Sequence, residues 1–283
     1  MTTLMQISDL HFGTEKPEVV TALETLARLK KPEVLVVSGD ITQRATAKQF
    51  AHAKAFCDRL SAGHTLALPG NHDIPLFNVF ARVFSPYTAF QKAFGQPLEQ
   101  CLNTPRLMVV TVNTTRPWRH KNGEVSEAQI AWVCEQLASA TDQQLRVVVV
   151  HQPIHVLRPE DEHDRLLGWR NATSAWAEAG ADMVMGGHIH LPYVCELPTN
   201  GQDQGRRMWC VQAGTAVSTR VRREAPNSVN LVKFAQVDQT MRCSVERWDY
   251  QNFPYRSGNL QQARMDDGQF ALAHTSILNL QRD

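Results

Sequence analysis

Five short polar clusters stand directly behind apolar runs. Asp9 and His11 follow Leu-Met-Gln-Ile-Ser, and Asp40 closes Val-Leu-Val-Val-Ser-Gly. Asn71, His72 and Asp73 follow Leu-Ala-Leu-Pro-Gly, His151 follows four valines, and His188 and His190 follow Met-Val-Met-Gly-Gly. Five of the eleven histidines occupy these places, far more than scattered surface histidines would. In open α/β sheets the carboxyl ends of the strands border the crevice where ligands bind. Strand side chains alternate faces, so the i, i+2 pairs Asp9/His11 and His188/His190 can project to one side. Setting His72 aside, the donors are two aspartates, four histidines and an asparagine, with no thiolate. Such mixed oxygen and nitrogen donors suit Mn²⁺, Fe²⁺/³⁺ or Zn²⁺ better than Mg²⁺ or Ca²⁺. Seven ligands exceed one four-coordinate ion but fit two ions sharing a carboxylate. Two metals roughly 3.5–4 Å apart can activate a bridging water and hold both oxygens of an in-line phosphoryl displacement.

The elements that must position these groups alternate in type. Strand-like runs cover Leu4 to Ser8, Val34 to Ser38, Thr65 to Leu68, Leu107 to Val112, Leu145 to Val150 and Asp182 to Met185. Helical patterns lie between them. One opens at Pro17 with Val19, Leu23 and Leu26 on one face, one runs from about Ala45 to Leu60, one starts at the capping box Ser126/Gln129, and one covers Thr173 to Ala179. Alternation of this kind predicts an α/β fold of βαβ units. After Met185 the runs Tyr193 to Leu197, Met208 to Val211, Asn230 to Ala235 and Met241 to Trp248 read as successive strands of a second, antiparallel sheet over 191–252. Residues 253–283 read as a polar, partly mobile tail, and no linker divides 1–283, which predicts one domain.

Composition narrows the function classes. With 283 residues, 43% hydrophobic and 20% charged, the chain can bury a large core and is not disordered. The balance of 29 basic against 28 acidic residues gives no global reason to bind nucleic acid or to adhere to an anionic membrane. The longest apolar runs are four to five residues, which predicts no membrane span, and the N-terminus does not resemble a signal peptide. Six scattered cysteines without a CxxC pair fit reduced thiols in the cytoplasm.

Taken together, Asp-x-His, Gly-Asp (Gly39, Asp40), Gly-Asn-His-Asp (Gly70 to Asp73), the later His151 and Gly-His-x-His (Gly187 to His190) resemble the signature of the calcineurin-like metallophosphoesterases. Singly the motifs are weak; five in this order are specific. The resemblance implies two packed mixed β-sheets, a sandwich flanked by helices. It implies one metal on Asp9, His11 and His190, the other on Asn71, His151 and His188, and Asp40 bridging them. His72 would protonate the leaving alkoxide or bond a phosphate oxygen, and Asp73 would orient His72. The protein serine/threonine phosphatases of this superfamily have Glu after Gly-Asn-His and an arginine shortly after the second motif. Here Asp73 ends the third motif and Ile41-Thr42-Gln43-Arg44 follows the second, which is similar to bacterial cyclic-nucleotide and glycerophosphodiester phosphodiesterases. A small phosphodiester is therefore the expected substrate. The alternatives are a pyrophosphatase acting on a nucleotide-diphospho-lipid, or a non-catalytic scaffold, whose expected mark is missing ligands. A nuclease fits less well, because no extended basic groove is evident.

Residues outside the motifs are assigned more plainly. Arg206, Arg207, Arg220, Arg222 and Arg223 stand against one acid, Glu224, and suggest a basic rim. Arg220 and Arg222, behind Gly214-Thr215-Ala216, are the expected substrate contacts. Phe77, Phe80, Phe84, Tyr87, Phe90 and Phe94 read first as core, with a lid or a homodimer surface as the alternative. His52, His64, His120, His155 and His163 read as loop or surface histidines.

Overall fold

The computed structural model describes residues 1–95, 97–197, 206–222, 225–237, 240–252 and 268–281. The chain runs β1 (Thr2–Ile7), α1 (Pro17–Lys30), β2 (Val34–Ser38), α2 (Ala47–Arg59), β3 (His64–Leu68), α3 (Val79–Phe84), α4 (Thr88–Phe94), β4 (Gln100–Asn103), β5 (Leu107–Thr111), α5 (Glu127–Ala138), β6 (Leu145–Val149), α6 (Trp169–Glu178) and β7 (Met183–Gly186). It continues with β8 (Tyr193–Glu196), β9 (Trp209–Gln212), β10 (Ser228–Val237), β11 (Thr240–Gln251) and β12 (Gln269–Leu278). The helix starts follow their sequence signals. Pro17 occupies the first turn of α1, and Ser126 and Gln129 cap α5 reciprocally.

Two six-stranded mixed sheets form, ordered β12-β11-β10-β1-β2-β3 and β4-β5-β6-β7-β9-β8. Period-two alternation sorts each strand between two cores. Val34 and Val36 of β2 join Val147 and Val149 of β6 in a layer between the sheets. Leu35 and Val37 face the other way, toward Val19 and Leu23 of α1 and Phe50 and Phe56 of α2. On the far side Val148 and Val110 pack against Ile130 and Val133 of α5 and Trp176 of α6. The layers are therefore helix, sheet, sheet, helix. Each fully buried aliphatic or aromatic side chain contributes about 1.5–3 kcal/mol, so the strand ends project from a rigid base.

The later strands depart from the reading of 191–252 as one antiparallel sheet. β9 joins the second sheet parallel to β7, with β8 antiparallel on its edge. β10 and β11 extend the first sheet instead, β10 pairing antiparallel with β1 from Thr2↔Phe234 to Gln6↔Asn230. Sequential strands usually neighbour one another, but the inner edge of β1 takes a strand from the far end of the chain. The expected tail is partly strand: β12 pairs with β11, while residues 253–267 lie outside the described residues. Within β12 only Phe270 and Leu278, near its two ends, are buried, and most residues between them are exposed.

The aromatic stripe divides. Phe90 is completely buried in the core under α2 and α4, whereas Phe77, Phe80 and Phe84 are 78%, 73% and 71% exposed. Helical spacing gives the same signal for both groups, and the core has room only for α4.

Candidate metal centre

Every candidate ligand lies within a few residues of a strand's carboxyl end: Asp9 and His11 after β1, Asp40 after β2, Asn71 after β3, His151 after β6, and His188 and His190 after β7. The i, i+2 pairs do not stand on the strands themselves. Asp9, His11, Asp40, His188 and His190 have φ of 53°, 43°, 49°, 72° and 57°. They make up five of the eight non-glycine residues with positive φ among those described. Such conformations cost about 1 kcal/mol or more each and persist only where the surroundings enforce them. Here the loops are laced together: Asp9 N donates to the Gly39 carbonyl at 3.0 Å, and His11 N donates to the Asp40 carbonyl at 2.9 Å. Glycine is required where the turns press on ligands. A Cβ on Gly39, whose φ is +95°, would strike the His151 ring, and one on Gly70 would strike Asp40.

The side chains converge in two groups with Asp40 common to both. In one, Asp9, His11, Asp40 and His190 bring a ligand atom each within 4.8 Å of the others, and in the other Asp40, His151 and His188 do so. His190 Nε2 lies 3.1 Å from Asp9 Oδ1 and 3.2 Å from His11 Nε2. Across the site, His151 Nε2 lies 3.4 Å from Asp40 Oδ1 and 3.3 Å from Asn71 Oδ1. Two of the outer ring nitrogens are held by the protein: His151 Nδ1 by the Ser38 carbonyl at 2.8 Å, and His190 Nδ1 by the Arg220 carbonyl. Each inner nitrogen is left to the site, the arrangement that metal-binding imidazoles use. Asp9, His11, Asp40 and His151 are essentially inaccessible to solvent.

Electrostatics agree with a cation-binding role. Burial would raise the Asp9 carboxyl, but His190 beside it brings it down to about 2. Burial opposes ionisation of Asp40 too, and the charge of His151 holds it well below the usual carboxylate range. Conversely, burial works against His151, yet Asp40 lifts it to about 9, and Asp9 likewise raises His190. Burial pushes His11 down to about 3 despite the two carboxylates. A proton on His151 thus balances the buried carboxylate beside it, and a bound cation would replace it. Buried His188 Nδ1 has no hydrogen-bond partner, which fits a donor aimed at a metal. Three nitrogen and oxygen donors to each side of a shared carboxylate match the chemistry of a transition-metal pair.

Around this centre the expected residues take varied positions. His72 N donates to Asp40 Oδ1 at 2.8 Å, which sets the His72 ring against that of His11, with centroids 4.8 Å apart. Its Nδ1 lies 3.3 Å from the Gln43 carbonyl and its Nε2 lies 3.2 Å from Arg220 Nη1. Burial first, and then Arg220, lower the His72 pKa. Asp73 does not orient that ring. Its buried carboxylate instead accepts from the backbone N–H groups of Ile41, Thr42 and Gly70 and from the Thr42 hydroxyl, at 2.8–2.9 Å. Adjacent residues of a tight turn point apart, so Asp73 ties the second and third motif loops together. Arg220 reaches the site, whereas Arg222 grips buried Asp161 at 2.9 and 3.0 Å and the Ile189 carbonyl at 3.3 Å. Arg223 and Glu224 lie outside the described residues. His155 and His163 belong to neither ligand group, but the loop bearing His163 supplies Asp164, whose Oδ1 lies 3.4 Å from His188 Nε2. His120, read as a surface residue, lines the hollow beside Asn71 and His72 with Gln43, Arg44, Ile74, Leu76 and Arg82. Both contacts depend on loops meeting, which spacing in the chain does not reveal.

Comparison with known proteins agrees. Residues 2–192 match the family model described as calcineurin-like phosphoesterase. The chain belongs to that family. Within it, curated relatives include a "probable cyclic nucleotide phosphodiesterase" of Rhodococcus erythropolis, 21% identical over 66% of this chain and 64% of that protein. A second is the "3',5'-cyclic adenosine monophosphate phosphodiesterase CpdA" of Escherichia coli, 23% identical over 58% of this chain and 63% of that one. The matches thus span less than two thirds of the length of each relative. Among solved structures, a purple acid phosphatase from yellow lupin superposes with a TM-score of 0.64 at 14% identity, over 88% of this chain and 51% of that one, and shares the fold.

Proposed function

We propose that this calcineurin-like phosphoesterase is a dinuclear-metal phosphodiesterase acting on a small diester, a cyclic nucleotide or a glycerophosphodiester. The convergence of Asp9, His11 and His190 on one side of Asp40, and His151 and His188 on the other, supports the reading most strongly. Asn71, close to His151, completes the second set. The names of the two relatives favour a cyclic nucleotide. Cys57, Cys101, Cys134, Cys195 and Cys210 form no disulfide, which fits a reducing, cytoplasmic setting.

Two transition-metal ions, Mn, Fe or Zn, held by these seven side chains would supply a water of lowered pKa and a positive field for phosphorus. The chain's own groups do the rest. His72 is anchored through its backbone on Asp40, and Gln43 accepts from Nδ1, leaving Nε2 toward the open side. The guanidinium of Arg220 then turns from Nε2 to a non-bridging phosphate oxygen, where paired N–H donors hold it. His72 Nε2–H protonates the departing oxygen, and the depressed pKa makes that proton easy to give. Arg222 stabilises the loop behind His190 through Asp161 rather than touching substrate.

Hydrolysis of bis-p-nitrophenyl phosphate and of p-nitrophenyl phosphate with Mn²⁺ tests the assignment. Cleavage of the diester well above the monoester is expected. A preference for the monoester would make the protein a phosphomonoesterase.

A further inference from the structure

A balanced total charge conceals a segregated face. Helix α3 buries none of its six residues. Val79, Phe80, Val83 and Phe84 are 68%, 73%, 62% and 71% exposed, and Phe77 just before it is 78% exposed. A helix this short does not hold itself together in water. It is kept in place by polar clamps. Asn78 Oδ1 accepts from Ala81 N at 2.9 Å, and the Arg82 guanidinium donates to the carbonyls of Pro75 at 3.2 Å and Arg119 at 2.9 Å. The second of those bonds fastens α3 to the loop that carries Trp118, itself 74% exposed. The Tyr87 hydroxyl donates to the Thr115 carbonyl at 3.0 Å and ties the two segments again. The fold thus fixes a set of large apolar side chains in water, which soluble monomers rarely do over a contiguous patch.

The charges beside them have one sign. Residues 74–94 contain Arg82 and Lys92 and no acid, and residues 115–122 contain Arg116, Arg119 and Lys121 and no acid. Arg44 stacks over Phe77 at 5.1 Å. Glu124, two residues beyond the second segment, already pairs with Arg119 at 2.8 Å. Exposed apolar side chains flanked along the chain by cations, on a helix that buries no residue, are the composition of an interfacial anchor.

We propose that α3, Phe77 and Trp118 form a docking surface for an anionic lipid bilayer. A second copy of the chain fits the same face poorly, since a two-fold contact would set these cations against themselves. The surface is continuous with the metal centre, because Leu76 and Arg82 line the same hollow as Asn71 and His72. Docking there places that hollow at the level of the lipid headgroups. The inference goes beyond the proposed hydrolysis and does not need it.

Co-sedimentation of the full chain with phosphatidylcholine vesicles, with and without phosphatidylglycerol, tests it. The protein should pellet with the phosphatidylglycerol vesicles, more weakly with phosphatidylcholine alone, and less as salt is raised. Replacing both Phe80→Ser and Phe84→Ser should weaken pelleting about tenfold or more. Its circular dichroism and its hydrolysis of a water-soluble diester should stay as in the parent, and Lys92→Glu should weaken pelleting on the anionic vesicles alone. Parent protein left in the supernatant, or a double variant that pellets as well as the parent, would overturn the proposal. So would a stable dimer of the parent that the double variant dissociates, because a second copy would then cover the face. Vesicle binding with no diesterase activity would leave this inference standing and remove the proposed function.

Discussion

At the scale of single residues, chemistry and anchoring are separable around His72. Its ring belongs to neither ligand group, while its backbone N–H is bound to Asp40. His72→Ala should therefore retain both metals and lose about 10²–10⁴ in kcat, the usual worth of a positioned general acid. Metal analysis beside turnover checks this, and loss of metal in the variant would make His72 a ligand. Arg220 gives a prediction of sign. Its charge, after burial, holds the His72 pKa down, and a general acid must be protonated to act. Arg220→Gln should move the alkaline limb of the kcat profile to higher pH while raising KM, and an unmoved limb would separate the two side chains. The side chains that converge around Asp40 were legible in the sequence because their types are rare behind apolar runs. Asp164 and His120 were not, since each reaches the site only when two loops meet. Asp73 misled because adjacency in sequence is not adjacency of side chains in a tight turn.

At the scale of elements, the strand-to-loop junctions carry the site, and their backbone is its most constrained part. Gly39 sits at φ +95° with the His151 ring against it. Gly39→Ala should cost about 1–3 kcal/mol by adding left-handed strain and a collision, and it should weaken metal binding through His151. Thermal unfolding followed with and without Mn²⁺ reads both effects. The short helical turn Pro159–Asp164 makes a different contribution. Asp164 contacts His188 Nε2, so Asp164→Asn should lower affinity for one of two metals by about 10–100-fold, as outer partners of ligating histidines do. Calorimetric titration showing both sites unchanged would remove that role. Continuous apolar runs made β1, β2, β3, β5, β6 and β7 readable, as strands covered on both faces leave them; β4, only partly covered, left no such run. The pairing of β10 with β1 was not readable, as no local feature states which edge a late strand will take. Phe80 and Phe90 repeat with one spacing but only Phe90 is buried; periodicity reports an apolar face, not what covers it.

At the scale of the whole molecule, two sheets built from distant parts of the chain bring their strand ends to one crevice, and candidate ligands from positions 9 to 190 meet there. Total charge misleads at this scale, because +1 overall coexists with a basic, apolar face beside the crevice. Anomalous diffraction from crystals of the Mn²⁺-loaded protein tests the central claim most directly. Two peaks roughly 3.5–4 Å apart are expected, one bound by Asp9, His11 and His190, the other by Asn71, His151 and His188, with Asp40 between them. A single peak, or two that do not share Asp40, would contradict it.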